Sequence, residues 1–207
     1  MKRLLTFAAL LAWCGTLLAL RAARAQNWVF FFLIWNLFLA AIPFAAAEVF
    51  ARAKWHVARW PAFATWLLFL PNAPYIVTDF IHLRARPPVP LWYDVLLLLS
   101  CAGTGLLLGY GSVMLVQRAT AKRWGARTGW TVDVVSILLS AFGIYLGRFL
   151  RFNSWEALTD PLPLFSDISA HLMNPMDHPR AFAVTILYGV ALLLGYLGMH
   201  VLADPNE

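Results

Sequence analysis

Four polar side chains, Asn72, Tyr75, Asp79 and His82, recur at helical spacing in the stretch LPNAPYIVTDFIHL, at the end of an apolar run. At 100° per residue they fall within a sector about 80° wide, so in a helix they share one face. Because polar groups are costly to leave against lipid, we expect this face to point into a helix bundle or a wet cavity. Asp79 and His82 could form an acid–base pair in which the carboxylate orients the imidazole.

Two arginines, Arg148 and Arg151, lie three residues apart in the stretch GIYLGRFLRFNSWE. Guanidinium groups one helical turn apart could hold a phosphate or a carboxylate through paired hydrogen bonds. Since an arginine within a membrane span is costly unless it is paired, Asp79 is the expected partner of Arg148. The remaining predicted binding residues are Asn72, Tyr75, Asp94, Asn153 and Trp155.

The composition is typical of an integral membrane protein. Of 207 residues, 61% are hydrophobic and 13% are charged, whereas soluble domains carry about 25% charged residues. The net charge of +6 arises from short loops between apolar runs, where basic residues report topology and do not predict a nucleic-acid surface. The two cysteines, Cys14 and Cys101, lie within apolar runs and behave as small hydrophobic residues. Membrane lipid is the partner that this pattern indicates.

Six apolar runs approach the length of about 20 residues that a spanning helix needs. They cover about 4–20, 28–50, 61–82, 91–116, 130–150 and 181–203. The predicted fold is an all-α, polytopic membrane bundle of six helices in a single domain, 1–207, with the third helix kinked or broken near Pro71 and Pro74. Segment 151–180 is expected to be an irregular extracytoplasmic cap with one short helical turn. Residues 1–25 resemble a secretory signal, but their long core favours an uncleaved helix.

The direction of the predicted spans brings the polar residues together. Spans three and five run the same way, so their C-terminal ends, with Asp79 and Arg148, should lie at one membrane face. With a cytoplasmic N-terminus, nine Lys and Arg residues, Lys2 and Arg3 among them, fall on the inner side and seven on the outer side. This excess predicts a multi-pass protein of the bacterial inner (plasma) membrane with its N-terminus in the cytoplasm.

Small and polar residues within the spans predict helix contacts. Gly105 with Gly109, and Gly143 with Gly147, have the spacing that lets membrane helices approach closely. We expect these pairs to pack spans four and five against each other. Asn36, within span two, is expected to make an interhelical hydrogen bond.

The long motifs NAPYIVTDFIHL, LWYDVLLLLS and GIYLGRFLRFNSWE, followed by DP, resemble the DUF1361 family of bacterial integral membrane proteins. The resemblance extends from about Asn36 to the last span. It implies a membrane protein of about this size with several helices. Because the family name assigns no activity, the resemblance implies no mechanism.

The polar cluster has four competing interpretations. It could bind or process an anionic, lipid-associated molecule, or it could be structural and lock the bundle through an Asp–Arg–His cluster. A metal site would draw on Asp79, His82 and Asp94, with His171 or His178. A proton-coupled carrier would use Asp79, although carrier sites tend to lie at the midplane between inverted repeats, and the two halves of this chain show no self-similarity. No cofactor is indicated.

Overall fold

The computed structural model of the protein describes residues 2–203. The side chains of Lys2, Arg3, His56, Leu158, Leu172 and Pro175 lie outside the described part, and so do Met1 and residues 204–207. In chain order the α-helices are α1 Lys2–Ala25, α2 Phe32–Arg52, α3 His56–Phe69, α4 Asn72–Tyr75, α5 Leu91–Trp124, α6 Ala126–Tyr145, α7 Glu156–Thr159, α8 Pro161–Met173 and α9 Pro179–Ala203. Ile76–His82 and Pro175–Asp177 form 3₁₀ helices, and Leu146–Leu150 continues α6 as a π-helix.

Five of the described helices are long and apolar enough to cross a membrane. They are Leu4–Ala25, Phe32–Arg52, Leu91–Trp124, Ala126–Leu150 and Pro179–Ala203. The all-helical membrane fold is therefore confirmed, and five of the six predicted spans match continuous helices. The exception is the third, because α3 has only 14 residues, fewer than the roughly 20 that a continuous spanning helix needs.

The third predicted span is broken near Pro71 and Pro74, as the sequence predicts. Helix α3 ends at Phe69, before Pro71, and the chain continues through α4 into the 3₁₀ segment Ile76–His82. A proline nitrogen cannot donate a hydrogen bond and its ring crowds the preceding turn, so carbonyls before it lose their helical partners. At the break the N–H of Ala73, which would bond to Phe69 O in a regular helix, donates to Leu70 O over 3.1 Å, and the side-chain amide of Asn72 donates to Phe69 O over 3.0 Å. Asn72 thus stabilises the break.

The broken segment runs back along α2 in the opposite direction. In the middle of α3, the ring centroid of Phe63 lies 5.5 Å from that of Phe50, close to the end of α2. At the other end, Asp79 accepts a hydrogen bond of 2.8 Å from Asn36, close to the start of α2. The segment from α3 to the 3₁₀ helix therefore covers the same length as this part of α2.

The glycine pairs pack against the broken segment, so the expectation that they join α5 to α6 was wrong. A Cβ at Gly105 would lie 2.5 Å from the carbonyl oxygen of Ala73, and one at Gly109 would lie 3.0 Å from the Ala73 Cβ. From α6, a Cβ at Gly143 would lie 2.5 Å from Pro71. The small residues of α5 and α6 thus accommodate the extra backbone bulk of the break from two sides.

Gly105→Ala is expected to destabilise the protein by about 1–3 kcal/mol, because its methyl group would press on the backbone of α4 and force the break to shift. The matched control is Gly103→Ala in the same helix, where an added Cβ meets nothing within 4 Å. Thermal unfolding in detergent measures both variants. Equal melting temperatures would show that the contact between α5 and the break is not tight.

Segment 151–180 is more helical than the sequence predicts. It contains α7, the 13-residue α8 and a short 3₁₀ turn, where we expected an irregular cap with one helical turn. Asp160 and Pro161 start α8 in an ordinary way, since proline fits the first turn of a helix, whose N–H groups have no intrahelical partner. Prolines that suggest irregular structure therefore also mark a helix start.

Large apolar side chains cover much of the outside of the bundle. On α9, the exposed residues include Ile186, Leu187, Val190, Leu194 and Val201. Soluble monomers rarely expose contiguous apolar surfaces of this kind. The outer face of α9 therefore has the chemistry of a surface in contact with acyl chains.

Candidate functional site

The ends of the third predicted span and of α6 meet, as the direction of the spans predicts. Nη2 of Arg148, in the π-helix that continues α6, lies 2.5 Å from Oδ1 of Asp79 in the 3₁₀ segment. The expected ion pair between these residues is confirmed. Asp79 is almost completely buried and the Arg148 side chain is 16% exposed, so both charges lie largely within the protein.

The guanidinium of Arg148 is held on three sides. Its Nε donates to Thr78 Oγ1 over 2.8 Å, and its Cζ lies 4.4 Å from the ring centroid of Tyr75, within range of a cation–π interaction. The Thr78 hydroxyl donates in turn to the Tyr75 carbonyl over 2.6 Å. Gly147 makes room for this arrangement, since a Cβ there would lie 3.1 Å from the Tyr75 ring.

Asp79 is fully engaged within the bundle. Its second oxygen, Oδ2, accepts a hydrogen bond of 2.8 Å from the side-chain amide of Asn36, which confirms the expected interhelical bond of Asn36. One carboxylate therefore ties α2, the 3₁₀ segment and the end of α6 together. Buried charges that are paired and hydrogen-bonded in this way fix geometry.

His82 lies at the surface, apart from this network. Its side chain is exposed, and its ring centroid lies 5.2 Å from that of Phe32 in an edge-on arrangement. The backbone carbonyl of His82 accepts a hydrogen bond from Arg86 Nη1 over 2.9 Å. The structure thus gives the imidazole an aromatic neighbour, while the two oxygens of Asp79 are bonded to Arg148 and Asn36.

Arg151 differs from Arg148 in its backbone conformation and in its exposure. It ends the π-helix with φ of 65° in the left-handed region, and its side chain is exposed. This turn of the backbone means that the two arginines do not continue one regular helix face. In place of the paired clamp expected from their spacing, the structure has one partly buried arginine that is paired with Asp79 and one exposed arginine.

The loop after Arg151 is anchored to the break in the third segment. The amide of Asn72 donates to Ser154 Oγ over 2.8 Å. Asn153 instead binds the first residue of α7, because its backbone N–H and its side-chain amide donate to the Glu156 carboxylate over 2.9 and 3.0 Å. Trp155, the last predicted binding residue, has its ring centroid 6.0 Å from that of Trp35 on α2.

Asp94 belongs to a second buried ion pair that the sequence did not reveal. Arg21, near the end of α1, donates through Nε to Asp94 Oδ1 over 2.7 Å and through Nη2 to Oδ2 over 3.3 Å. The two side chains are only 2% and 0% exposed. Arg21 Nη1 also donates to Asn27 over 3.0 Å, and its Cζ lies 4.5 Å from the Phe30 ring centroid.

A signal for Arg21 was present in the sequence. Arg21 follows Leu18 by three residues and Cys14 by seven, so all three share one face of α1, and all three are buried. Its neighbour Arg24 is exposed. Both arginines lie at the end of the first apolar run, and only their position around the helix separates the buried side chain from the exposed one.

The histidines of the cap form a further polar contact. His171 Nε2 lies 3.1 Å from the Tyr145 hydroxyl, and its Nδ1 lies 2.7 Å from the Asp167 carbonyl. The rings of His171 and His178 stack with centroids 3.8 Å apart. Within residues 2–203, where side chains are described, no group of three or more His, Cys, Asp or Glu residues is arranged to hold a metal ion.

A largely apolar cavity of about 330 Å³ lies beside the network, beneath the cap. Its walls come from α3, the break, α6 with its π-helix, the 152–154 loop, α7 and α8, and include Leu68, Phe142, Leu146 and Phe165. Asn153 and Ser154 supply polar groups on its lining. Of the predicted site residues, Asn153 alone is among the side chains that line this cavity.

These features define a class of protein: a multi-pass, all-helical membrane protein with buried ion pairs near one end of the bundle. Within that class the chain belongs to DUF1361, a family whose description is "Protein of unknown function", because the family model matches residues 35–194. The resemblance drawn from the motifs is thus confirmed. Neither the curated proteins nor the solved structures contain a match to this chain.

Proposed function

We propose that this protein crosses the bacterial inner membrane six times and binds an anionic, lipid-associated molecule at its extracytoplasmic end. The cavity beneath the cap is the observation that carries this proposal. Its volume lies within the range of about 300–1,000 Å³ that is usual for small-molecule sites. Membrane lipid is the proposed partner.

A sixth crossing is supported by the position of the broken segment. Phe63, in the middle of α3, lies beside Phe50 near the end of α2, and Asp79, in the 3₁₀ segment, bonds to Asn36 near the start of α2. A chain that returns along the length of a spanning helix traverses the same depth of membrane. Irregular backbone is tolerated at that depth where it is buried within protein, and Ala73, Pro74 and Ile76 of this segment are buried.

The proposed orientation follows from the basic residues. With six crossings, the end of the bundle opposite Arg148 carries Lys54, Arg59, Lys122, Arg123 and Arg127 in or within four residues of its loops. Basic residues concentrate in cytoplasmic loops. We therefore propose a cytoplasmic N-terminus, with the cavity beneath the cap on the outer side.

The amphipathic character of the ligand follows from the chemistry of the cavity and its surroundings. Apolar walls from α3, α6 and α8 suit an acyl or prenyl chain. Asn153 and Ser154 are polar, and the exposed Arg151 lies two residues before Asn153 in the chain. An exposed arginine that directly precedes the lining residues Phe152 and Asn153 in the chain suits a ligand that carries a phosphate or a carboxylate at one end.

A structural role is the second candidate, and it is specifically favoured for Asp79 and Arg148. Both oxygens of Asp79 have partners inside the bundle, and Arg148 is neutralised by the same carboxylate. We assign this network to holding the third segment in place. Binding is then left to Arg151, Asn153 and the apolar walls, and a chemical step by Asp79 and His82 would require the ion pair to open.

Arg151→Gln is expected to reduce the amount of co-purified anionic amphiphile about tenfold, the effect of losing one charge-assisted hydrogen bond. Its melting temperature in detergent should be unchanged, because the side chain is exposed. Mass spectrometry of the organic extract, per mole of purified protein, measures the bound species.

Two further variants make this experiment selective. Ala157→Trp is expected to displace the apolar part of the ligand, since Ala157 lines the cavity. Arg84→Gln removes an exposed arginine from the same end of the bundle and should retain the ligand. The same amphiphile content in all these variants and in the unmodified protein would contradict binding beneath the cap.

A further inference from the structure

A second, basic cavity lies at the opposite end of the bundle, where α2, α3 and α5 meet. Its volume is about 320 Å³. Three of the residues that line it, Arg59, Lys122 and Arg123, are cationic. The others are Phe50, Ala51, Ala119 and Trp124. The described lining contains no acidic residue, so the cavity concentrates positive charge.

Arg59 is the most constrained of the three cations. Its Nη2 donates to the Ala53 carbonyl, and its Cζ lies 6.0 Å from the Phe50 ring centroid. Its Nη1 is buried and has no hydrogen-bond partner within the protein. A buried donor without a partner costs stability, so this nitrogen favours an acceptor that the chain itself does not supply.

The acids nearest along the chain are already engaged. Glu48 Oε2, one turn before the end of α2, lies 2.5 Å from Arg52 Nη2. Asp133, on α6, accepts a hydrogen bond of 2.8 Å from the Tyr196 hydroxyl on α9. Neither carboxylate lines the basic cavity, so its three charges are not neutralised by these residues.

Aromatic rings flank the cations. The rings of Trp60 and Trp124 stack with centroids 6.2 Å apart, and Cζ of Arg123 lies 5.6 Å from the Trp124 ring centroid. Tryptophans of this kind sit at the level of lipid headgroups in membrane proteins. The basic cavity therefore lies at the depth where phosphate groups of the membrane occur.

We propose that the basic cavity binds a phosphate group, with Arg59 and Arg123 as hydrogen-bond donors and Lys122 as a third cation. Guanidinium groups bind phosphate through paired hydrogen bonds, and an ammonium adds point charge. Basic pockets between helices of membrane proteins are suited to lipid phosphates. The phosphate can belong to a lipid headgroup or to a soluble compound, and both sources place the same chemistry in the cavity.

The lipid source is tested with the full chain in nanodiscs that contain phosphatidylglycerol and phosphatidylcholine. Native mass spectrometry counts the phosphatidylglycerol molecules that remain bound. Arg123→Gln with Lys122→Gln is expected to reduce their retention about tenfold, and because both side chains are exposed, folding should be preserved. Arg59→Gln should have a similar effect. Arg127→Gln, an exposed cation at the same end that is not among the described lining residues, is the matched control.

The soluble source is tested by calorimetric titration of inorganic phosphate and pyrophosphate into the protein in phosphatidylcholine nanodiscs. Binding that is lost in the Arg123 and Lys122 variant but kept in Arg127→Gln assigns the cavity to a soluble phosphate. Loss of phosphatidylglycerol in the same variant assigns it to lipid. If the cavity variants match Arg127→Gln for both probes, the proposal is overturned. Arg84→Gln, an exposed arginine at the other end of the bundle, should leave both measurements unchanged.

Discussion

Arg21→Met is expected to lower the free energy of unfolding by about 3–5 kcal/mol, because it leaves a buried carboxylate without its counter-charge. Asp94 is completely buried, and Arg21 supplies both of its described side-chain hydrogen bonds. Methionine retains most of the length of the arginine side chain, so the loss reflects charge and hydrogen bonding more than packing. This pair is the more deeply buried of the two at this end of the bundle.

Thermal unfolding in a single detergent measures this effect against a control one turn further along α1. Arg24→Met removes an exposed arginine from the same helix and should change the melting temperature little. The double variant Arg21→Met with Asp94→Leu should recover much of the loss, since replacing both partners by apolar groups leaves no unpaired charge. A variant of Arg21 as stable as Arg24→Met would show that Asp94 has another cation available.

The features predicted correctly from the sequence depend on short-range rules. The effect of proline on a helix predicts the break near Pro71. The shared direction of spans three and five predicts that Asp79 and Arg148 lie at the same level of the bundle. Neither inference needs knowledge of which helices are neighbours. The ion pair then follows, because a buried arginine requires an acid and Asp79 lies at the same depth.

The features that the sequence did not predict depend on helix neighbours and on backbone direction. Small residues such as Gly105 and Gly143 predict a close helix contact, but they do not identify the neighbouring helix. In the structure that neighbour is the broken third segment. Arg151 follows Arg148 by three residues, yet the left-handed turn at the end of the π-helix separates their roles. A helical projection assumes a regular α-helical backbone. It therefore gives the wrong relative positions for side chains in the π-helix and at its end.

The cavity beneath the cap was also beyond the reach of sequence patterns. Its walls are ordinary apolar side chains such as Leu67, Leu139 and Ile168, which carry no motif. Asp79 and Arg148, at the centre of the predicted polar site, bond to each other, to Asn36 and to Thr78 instead. In this protein, the regularly spaced polar residues Asp79 and Arg148 connect helices, while the cavity forms where the cap covers apolar side chains of α3 and α6.

Asp79→Leu is expected to destabilise the protein by about 3–5 kcal/mol, by leaving Arg148 without its counter-charge and Asn36 without its acceptor. The loss of unfolding free energy should lie near the lower end of this range, because Arg148 keeps Thr78 and the Tyr75 ring as neighbours and is 16% exposed. Asp79→Asn, which preserves the shape of the side chain and one acceptor oxygen, should cost less than Asp79→Leu.

A double-mutant cycle with Arg148→Met separates a structural role of this network from a binding role. The two changes together should be less destabilising than the sum of the single changes, by about 0.5–3 kcal/mol, because residues in direct contact are coupled. If the double variant also retains the co-purified amphiphile, the ion pair holds the third segment in place and Arg151 faces the ligand. Additive effects would contradict the coupling, and loss of the amphiphile from a stable double variant would move Asp79 and Arg148 into the binding site itself.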